Sequence, residues 1–557
     1  MRTLHGMESP RLSLGLIVLL LSACTDTVFK DREQFNPPPD AANKFLGFFT
    51  VSTKQTTCGN CHVTHQAAWV QTAHASAYGL PATSPAFDPA PGKCLTCHTV
   101  SGRGNGVAFP AGWDKVQDTV YQNVQCENCH GPGLDHVTAP DAPKSASNPP
   151  LAHIAVPYDT LPAGGGPHAV DTATIAKSTS CGACHNQNSG PGVRAYEEWA
   201  ASAHAWPPEA GLAATPALNP SCVSCHEARG ILAAWGVTAN YAERGQPTTV
   251  ANVLGQTCAV CHDPHGSAQD PTTGQPIDHQ LRFPLSTPDV NQQLCMKCHQ
   301  RRSIPDQSSA RGPHSPQGPM LLGDAGYQPA GFQPDLQAVA STHGTDKNPE
   351  LCAGCHVNRL TGTDVTTGKP AVSAGHLFLA IPCLDAGGLP VKTDCPDDLP
   401  SRSWAACTAS GCHGDGATAV AAFTLITQDV DRLTKEIWDD KNGDDKIDPA
   451  PTDGGFLSDK VSIPDTNYKT GDNFITPAEG AAFNVRMLRI EGGADGSHGV
   501  HNPFLARALL GADISELQAK YPGLAPPSPA VKSLLDGRIG VMLNRVYHPT
   551  SGAGTLH

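Results

Sequence analysis

The chain has 557 residues, too many for one ordinary hydrophobic core, so several domains or an extended array are expected. Only 39% of the residues are apolar and 6% aromatic, against 55 glycines and 50 prolines. So little apolar surface is available per residue that the fold needs another filler or staple. The formal charge of −14 argues against a nucleic-acid-binding face, which would be basic.

In chain order, residues 1–23 read as a targeting segment: Arg2 and Arg11 accompany an apolar run, Leu12 to Leu21, too short to span a bilayer. Leu21, Ser22 and Ala23 before Cys24 resemble the lipobox of bacterial lipoproteins, which implies cleavage before Cys24 and acylation of its sulfur. An ordinary secretory signal with an incidental cysteine is the alternative. Thr25 rather than an acidic residue follows, which resembles outer-membrane sorting. Residues 24–50 form a tether, and the expectation is a soluble chain held to the membrane by lipid alone.

From residue 58 onward one pattern recurs. C-x-x-C-H occurs eight times: Cys58/Cys61/His62, Cys94/Cys97/His98, Cys126/Cys129/His130, Cys181/Cys184/His185, Cys222/Cys225/His226, Cys258/Cys261/His262, Cys295/Cys298/His299 and Cys352/Cys355/His356. Two thiols three residues apart share one helical turn and can add to the two vinyl groups of one porphyrin; the next histidine then lies under the iron. Structural zinc needs matched Cys or His pairs at finger spacing, and a redox C-x-x-C needs no histidine. A disulfide framework does not require a histidine after every second cysteine. The pattern points to covalent haem c.

A ninth copy has a longer loop, C-x4-C-H, at Cys407, Cys412 and His413. It resembles the variant attachment motif of some multihaem cytochromes; the alternative is a disulfide half followed by an incidental histidine. With Cys24 lipidated and the motif cysteines set aside, Cys383 and Cys395 remain as a disulfide candidate. The expected complement is nine haems, or eight if the longer loop is empty.

The motif starts at 58, 94 and 126 and at 181, 222 and 258 form two similar triplets. They define a first trihaem module over 51–170 and a second over 171–285. Each contains an alanine-rich segment predicted as helix, Trp69 to Ala75 and Trp199 to Ala205, with a histidine five residues after the tryptophan: His74 and His204. A third haem module spans 286–420, with wider spacing.

Nine of the 25 histidines close motifs and become proximal ligands. The four methionines beyond the targeting segment, Met296, Met320, Met487 and Met542, are too few to be general sixth ligands. Bis-histidine, low-potential iron is therefore expected. The distal candidates are His65, His74, His136, His204, His265, His314, His343, His376 and His501. His153, His168, His279, His498 and His548 are left for surface or hydrogen-bonding roles.

The region 421–557 is haem-free. Asp440, Asn442, Asp444 and Asp448 hold positions 1, 3, 5 and 9 of an EF-hand-like loop and are candidate calcium ligands. Asp445 replaces the usual glycine there and Pro451 stands where a bidentate glutamate belongs, while Asp472 and Glu479 are available to complete a site; a solvated acidic linker is the alternative. Helices are predicted over 478–491 and 501–520.

The run Cys126 to His136, with Gly-Pro-Gly after the motif, resembles the haem motif shared by the tetrahaem cytochrome of ammonia oxidation, hydroxylamine oxidoreductase and pentahaem nitrite reductase. That resemblance implies that His136 ligates a neighbouring haem. Cys258 to His265, followed by Leu294 to His299, resembles the doubled-CXXCH pattern, in which the extra histidine, here His265, reaches a paired haem. Gly499 to Pro503, around His501, is similar to the C-terminal distal-histidine segment of the same superfamily.

With the lipobox, the whole resembles outer-membrane multihaem cytochromes of metal-reducing bacteria, over about residues 50–420. The fold expected is that of a multihaem cytochrome c, mostly coil with short α-helices around stacked haems, little β and an α-helical C-terminal segment. The function expected is electron transfer at the outer membrane, on its periplasmic or cell-surface face, with no dedicated active site. Its partners would be other multihaem cytochromes, an outer-membrane porin and extracellular metal acceptors, with no nucleic acid. The alternative is a reductase of nitrite, hydroxylamine or a sulfur oxyanion. Its signs would be a C-x-x-C-K motif or too few histidines, and the sequence has neither.

Overall fold

The computed structural model describes residues 37–548 except 84–86, 91, 106, 108–109, 139–180, 188–191, 206–219, 238–254, 267, 309–310, 334–340, 410–411 and 465–473. Cys24, His153, His168 and Asp472 lie outside the described residues.

From residue 37 to residue 415 the described chain is turns and coil broken by helices of no more than seven residues. The sheets among the described residues are three two-stranded antiparallel ribbons: Phe48–Thr50 (β1) with Gln55–Thr56 (β2), Thr361–Thr363 (β3) with Pro370–Val372 (β4), and Cys383–Leu384 (β5) with Pro390–Val391 (β6). A disulfide joins Cys383, on β5, to Cys395 just after the ribbon. Apolar packing within this part forms small clusters, such as Phe45, Leu95, Val100, Ala111, Trp113 and Tyr121, while Met320, Ala325 and Phe332 join the core of the C-terminal region. Clusters of this size bury too little surface to hold several hundred residues, as the composition implies.

The duplication is visible hydrogen bond by hydrogen bond. Helix Val63–Trp69 (α1) ends where Thr72 turns its hydroxyl onto the Trp69 carbonyl at 2.7 Å, and His74 opens a separate 3-10 turn, Ala73–Gly79. Trp69 Nε1 donates to the Val124 carbonyl at 3.0 Å, and the Val124 N–H donates to the His74 carbonyl at 3.1 Å. The second copy repeats each of these contacts. There Ser202 binds the Trp199 carbonyl at 2.7 Å, Trp199 Nε1 reaches the Gln256 carbonyl at 2.8 Å, and the Gln256 N–H reaches the His204 carbonyl at 2.8 Å. The single helices predicted over Trp69 to Ala75 and Trp199 to Ala205 are therefore broken in the middle. Thr72 and Ser202 compete for the helical carbonyl with their own side chains, which stops the helix.

Glu127, inside the third motif, is buried. Its carboxylate accepts from Leu46 N at 3.0 Å, Gly47 N at 2.9 Å and Gly133 N at 2.8 Å, and burial pushes its carboxyl up to about 7. It thus ties the start of the described chain to the Gly-Pro-Gly turn ahead of helix Leu134–Thr138 (α2), which carries His136.

Residues 416–548 pack differently. Gly416–Ile437 (α4, numbering Ala195–Ala201 as α3), Pro477–Leu488 (α5), Pro503–Lys520 (α6), Pro529–Asp536 (α7) and Arg538–Val546 (α8) form a bundle around one continuous apolar core. Along α4, Ile426, Val430, Leu433 and Ile437 follow the helical period onto Leu505 and Leu509 of α6. Side-chain caps open the helices: Asp415 for α4, Thr476 with Glu479 for α5, Asn502 for α6 and Ser528 for α7. α5 stops before the predicted 491 because Arg489 leaves helical geometry to pair with Asp440 and Asp445. α6 starts at Pro503 rather than 501, because a proline fits the first helical turn and Asn502 caps it.

Asp429 on α4 is fully buried and pairs with Arg507 of α6 at 2.8 Å and with Arg538 of α8. Removing one partner of a buried ion pair strands the others in low dielectric. Asp429→Ala is expected to destabilise the bundle by about 3–5 kcal/mol, seen as an earlier loss of helical circular dichroism on heating.

Candidate haem-binding sites

Each attachment motif is a single tight turn. Cys94–His98, Cys126–His130, Cys352–His356 and Pro220–His226 are short helices. In other motifs the histidine N–H still closes onto the carbonyl of the first cysteine: His62 on Cys58 at 2.9 Å, His185 on Cys181 at 2.8 Å and His299 on Cys295 at 3.0 Å. Two sulfurs and an imidazole thus leave one turn of chain together. None of the eighteen motif cysteines, Cys407 and Cys412 among them, is tied up in a disulfide.

Sixteen of these thiols are partly sheltered, but Cys61 and Cys412 are exposed. The exposure of Cys61 has a local cause. The first motif opens as a 3-10 turn, Cys58–Asn60, whose buried residue is Gly59, tied by its N–H to Thr56 Oγ1 at 3.0 Å. Anchored at that end, the turn leaves its far end, from Cys61 through His62 into the start of α1, facing solvent. A sulfur so placed is the least protected of the first six motifs, and spacing alone gave no sign of it.

Two imidazoles sharing one iron, each nitrogen about 2 Å from the metal, hold their ring centres about 6 Å apart. The structure sets eight of the nine motif histidines opposite a second imidazole at that separation. His62 faces His136 at 6.4 Å, His130 faces His265 at 6.0 Å, His185 faces His74 at 6.1 Å and His226 faces His314 at 5.9 Å. His262 faces His376 at 6.3 Å, His299 faces His204 at 6.2 Å, His356 faces His501 at 6.2 Å and His413 faces His343 at 6.0 Å. The width of each gap fits one iron.

Six of the eight pairs join different segments of the chain, His62–His136 and His343–His413 being the local ones, and the crossings recur periodically. His74 and His204, the duplicated pair, face the first motif of the triplet that follows each. His130 and His262, which close the third motif of each triplet, face histidines further along the chain, His265 and His376. Thiols of different motifs also come close, pairing Cys58 with Cys126, Cys97 with Cys184, Cys181 with Cys258, Cys225 with Cys298 and Cys295 with Cys352. Cys129 lies near Cys181, Cys261 near Cys295, and Cys355 near Cys412.

The imidazoles are aimed through Nδ1. Backbone carbonyls hold that atom in His98 (Ala77, 2.9 Å), His262 (His279, 2.7 Å), His343 (Val500, 2.8 Å), His356 (Phe378, 2.9 Å) and His376 (Ala374, 3.1 Å). Gln317 Oε1 holds it in His299 at 3.2 Å, and Asp495 in His501 at 2.8 Å. A ring that donates from Nδ1 keeps the Nε2 lone pair for a metal. Burial, with neighbouring positive groups second, pushes His74, His204 and His314 down to about 4. They are thus neutral, the form that binds iron.

Residues 57–131 match the family model Cytochrome c554 and c-prime, and residues 114–272 match the model Outer membrane cytochrome MtrC/MtrF-like, domains II/IV. This chain is a multihaem c-type cytochrome. Comparison with curated proteins and with solved structures gives no match. The matched spans take in the first six attachment motifs of the cytochrome, and the remaining motifs lie beyond them.

The longer ninth motif ends as the shorter ones do, with the His413 N–H on the Cys407 carbonyl at 3.1 Å, so the loop keeps the same closure. His65 sits apart from the cytochrome's paired histidines. Three residues beyond His62, it meets that ring edge-on at 6.2 Å and approaches His265 to 4.9 Å, while both of those rings already face others. No second ring faces His98 among the described residues.

The loop at 440–448 does not fit calcium. Asp440 accepts from the Gly443 and Asp445 amides and pairs with Arg489; Asp445 pairs with Arg486 and Arg489, and Asp444 pairs with Lys446. Asn442 Nδ2 donates to Asp448 Oδ2 at 3.1 Å, and Glu479 is spent in the α5 cap. No three carboxylates converge on a cation position among the described residues. Sequence spacing supplied the oxygens, but Arg489 takes Asp440, Lys446 takes Asp444, and Asn442 turns its amide onto Asp448.

Cys407→Ala should lower the mass of the holoprotein by one covalently bound haem, read by intact mass spectrometry. An unchanged haem mass would return the ninth motif to ordinary thiol chemistry.

Proposed function

We propose that this cytochrome carries nine haems in a connected array and moves electrons at the outer membrane. It would act either within a porin–cytochrome conduit or as a surface reductase of extracellular metal acceptors. The observation that carries the reading is the set of eight imidazole pairs spaced for one iron each. Paired histidines close both axial positions, so such iron exchanges electrons and does not bind substrate. Other multihaem cytochromes are the partners that such an array would serve.

The thiol neighbours support an order. Numbering haems by motif, haems 1, 3, 4, 6, 7, 8 and 9 form a spine, with haem 2 branching from haem 4 and haem 5 from haem 7. The two branches stand at equivalent places in the repeat. In such an array the protein's work is to set potentials, spacing and docking faces.

Outer-membrane placement is supported by the targeting segment with Cys24, and by the match of residues 114–272 to the outer-membrane MtrC/MtrF-like family model. No helix among the described residues is long and apolar enough to cross a membrane. Cys24→Ala should therefore move the protein from the membrane fraction to the soluble one; retention in the membrane would show a different anchor or a tight membrane partner.

Full bis-histidine ligation is tested by spin resonance. The oxidised holoprotein should show only low-spin haem and bind neither nitrite nor carbon monoxide at equilibrium. One stoichiometric high-spin haem, with saturable turnover of nitrite or hydroxylamine, would overturn the electron-transfer reading in favour of an enzyme.

A further inference from the structure

The seven motif and facing histidines whose Nδ1 partner is given above do not share one chemistry. Five are held by neutral carbonyls and one by a neutral amide; His501 alone is held by a carboxylate. Asp495 is 2% exposed, and its Oδ1 lies 2.8 Å from His501 Nδ1. Its other oxygen takes the Ser497 hydroxyl, and Ser497 Oγ also accepts the His501 N–H at 3.1 Å.

The carboxylate has little freedom to move. The Asp495 N–H donates to the Met487 carbonyl at 3.0 Å and the Ala494 N–H to the Arg486 carbonyl at 3.0 Å, so this turn is fastened to the last carbonyls of α5. From the other side Gln317 Nε2 holds the Ala494 carbonyl at 3.0 Å. Gln317 also touches His299, the motif histidine of the neighbouring site.

We propose that Asp495 is a tuning residue that gives the haem between His356 and His501 a lower potential than those of its spine neighbours. The inference rests on the bis-histidine reading of that site. A carboxylate drawing on the Nδ1 proton makes the imidazole a stronger donor, and a fixed negative charge close to the iron favours the ferric state. Carbonyl and amide partners orient their rings but bring no charge. In the proposed order this haem is the eighth and precedes only the ninth. An electron would rest on haem 7 or on haem 9 rather than between them, so the terminal haem would exchange electrons with its partner partly insulated from the spine.

The test is a redox titration of the full holoprotein, followed by spin resonance. Asp495→Asn keeps the shape and removes the charge. A tenfold shift of one haem's ferric–ferrous equilibrium toward the ferrous state is expected, a rise of about 59 mV, with the other haems unmoved. Ser497→Ala, which leaves the carboxylate to His501 alone, should move the same haem the opposite way. If every potential stays put in Asp495→Asn while all haems remain low-spin, the proposal is overturned. A new high-spin haem in that variant would also overturn it, by showing that Asp495 only positions the ligand. If Asp495→Asn fails to load haem, Ser497→Ala decides, an unmoved potential there sinking the idea. Failure of the underlying ligation reading would show instead as high-spin iron in the unaltered protein.

Discussion

The constraint on which the rest depends is the fixed gap between facing imidazoles. From residue 37 to about 415 the described chain has no continuous apolar core, and its buried clusters hold a few side chains each. What organises this stretch is the meeting of histidines from distant segments at separations near 6 Å, together with polar ties such as Glu127. In the proposed holoprotein the porphyrins occupy those gaps, and their large apolar faces supply the burial that the side chains do not. The low apolar content and the number of motifs are then two sides of one design, in which the cofactor is the core.

The C-terminal bundle is built by the ordinary means, with apolar helix faces, caps and a buried ion-pair cluster. Its rigidity serves the haem region next to it. The turn after α5 presents Asp495 and His501, and the Val500 carbonyl fixes His343. A loop held by a stable bundle keeps a ligand more exactly aimed than a loop supported by coil.

Attachment was legible in the sequence because it is local: two thiols and an imidazole on one turn are a matter of spacing alone. The shelter of each sulfur was not, since it depends on what packs around the turn, and Cys61 is open where Cys58 is partly covered. His136, His265 and His501 were legible through short motifs around them, and His74 and His204 through duplication. Which ring faces which was not legible, since the pairing joins residues up to 145 positions apart, as in His356 with His501, and follows no local spacing. His65 had the same local credentials as His265 but lies beside rings that are already matched. Helix α4 passed unmarked, although Asp415 signals its start and its apolar residues fall at helical spacing. The calcium-like loop misled because Arg486 and Arg489, which pair with its Asp445 and Asp440, lie some forty residues further on. Asp495 and Gln317 carried no sequence signal; their importance comes only from the ring atoms they touch.

The interleaving of these pairs has a consequence in time. A growing chain emerges from its amino end, and the third motif faces a histidine at 265, the sixth one at 376 and the eighth one at 501. Under the proposed ligation, each growing segment therefore carries irons with one axial position unfilled until a later segment arrives. Such half-ligated iron is reactive and poorly held. Maturation of the molecule is then a relay in which every stage protects the one before it, and the last protection comes from a domain that carries no haem. A chain cut short anywhere would leave damage upstream of the cut as well as loss downstream.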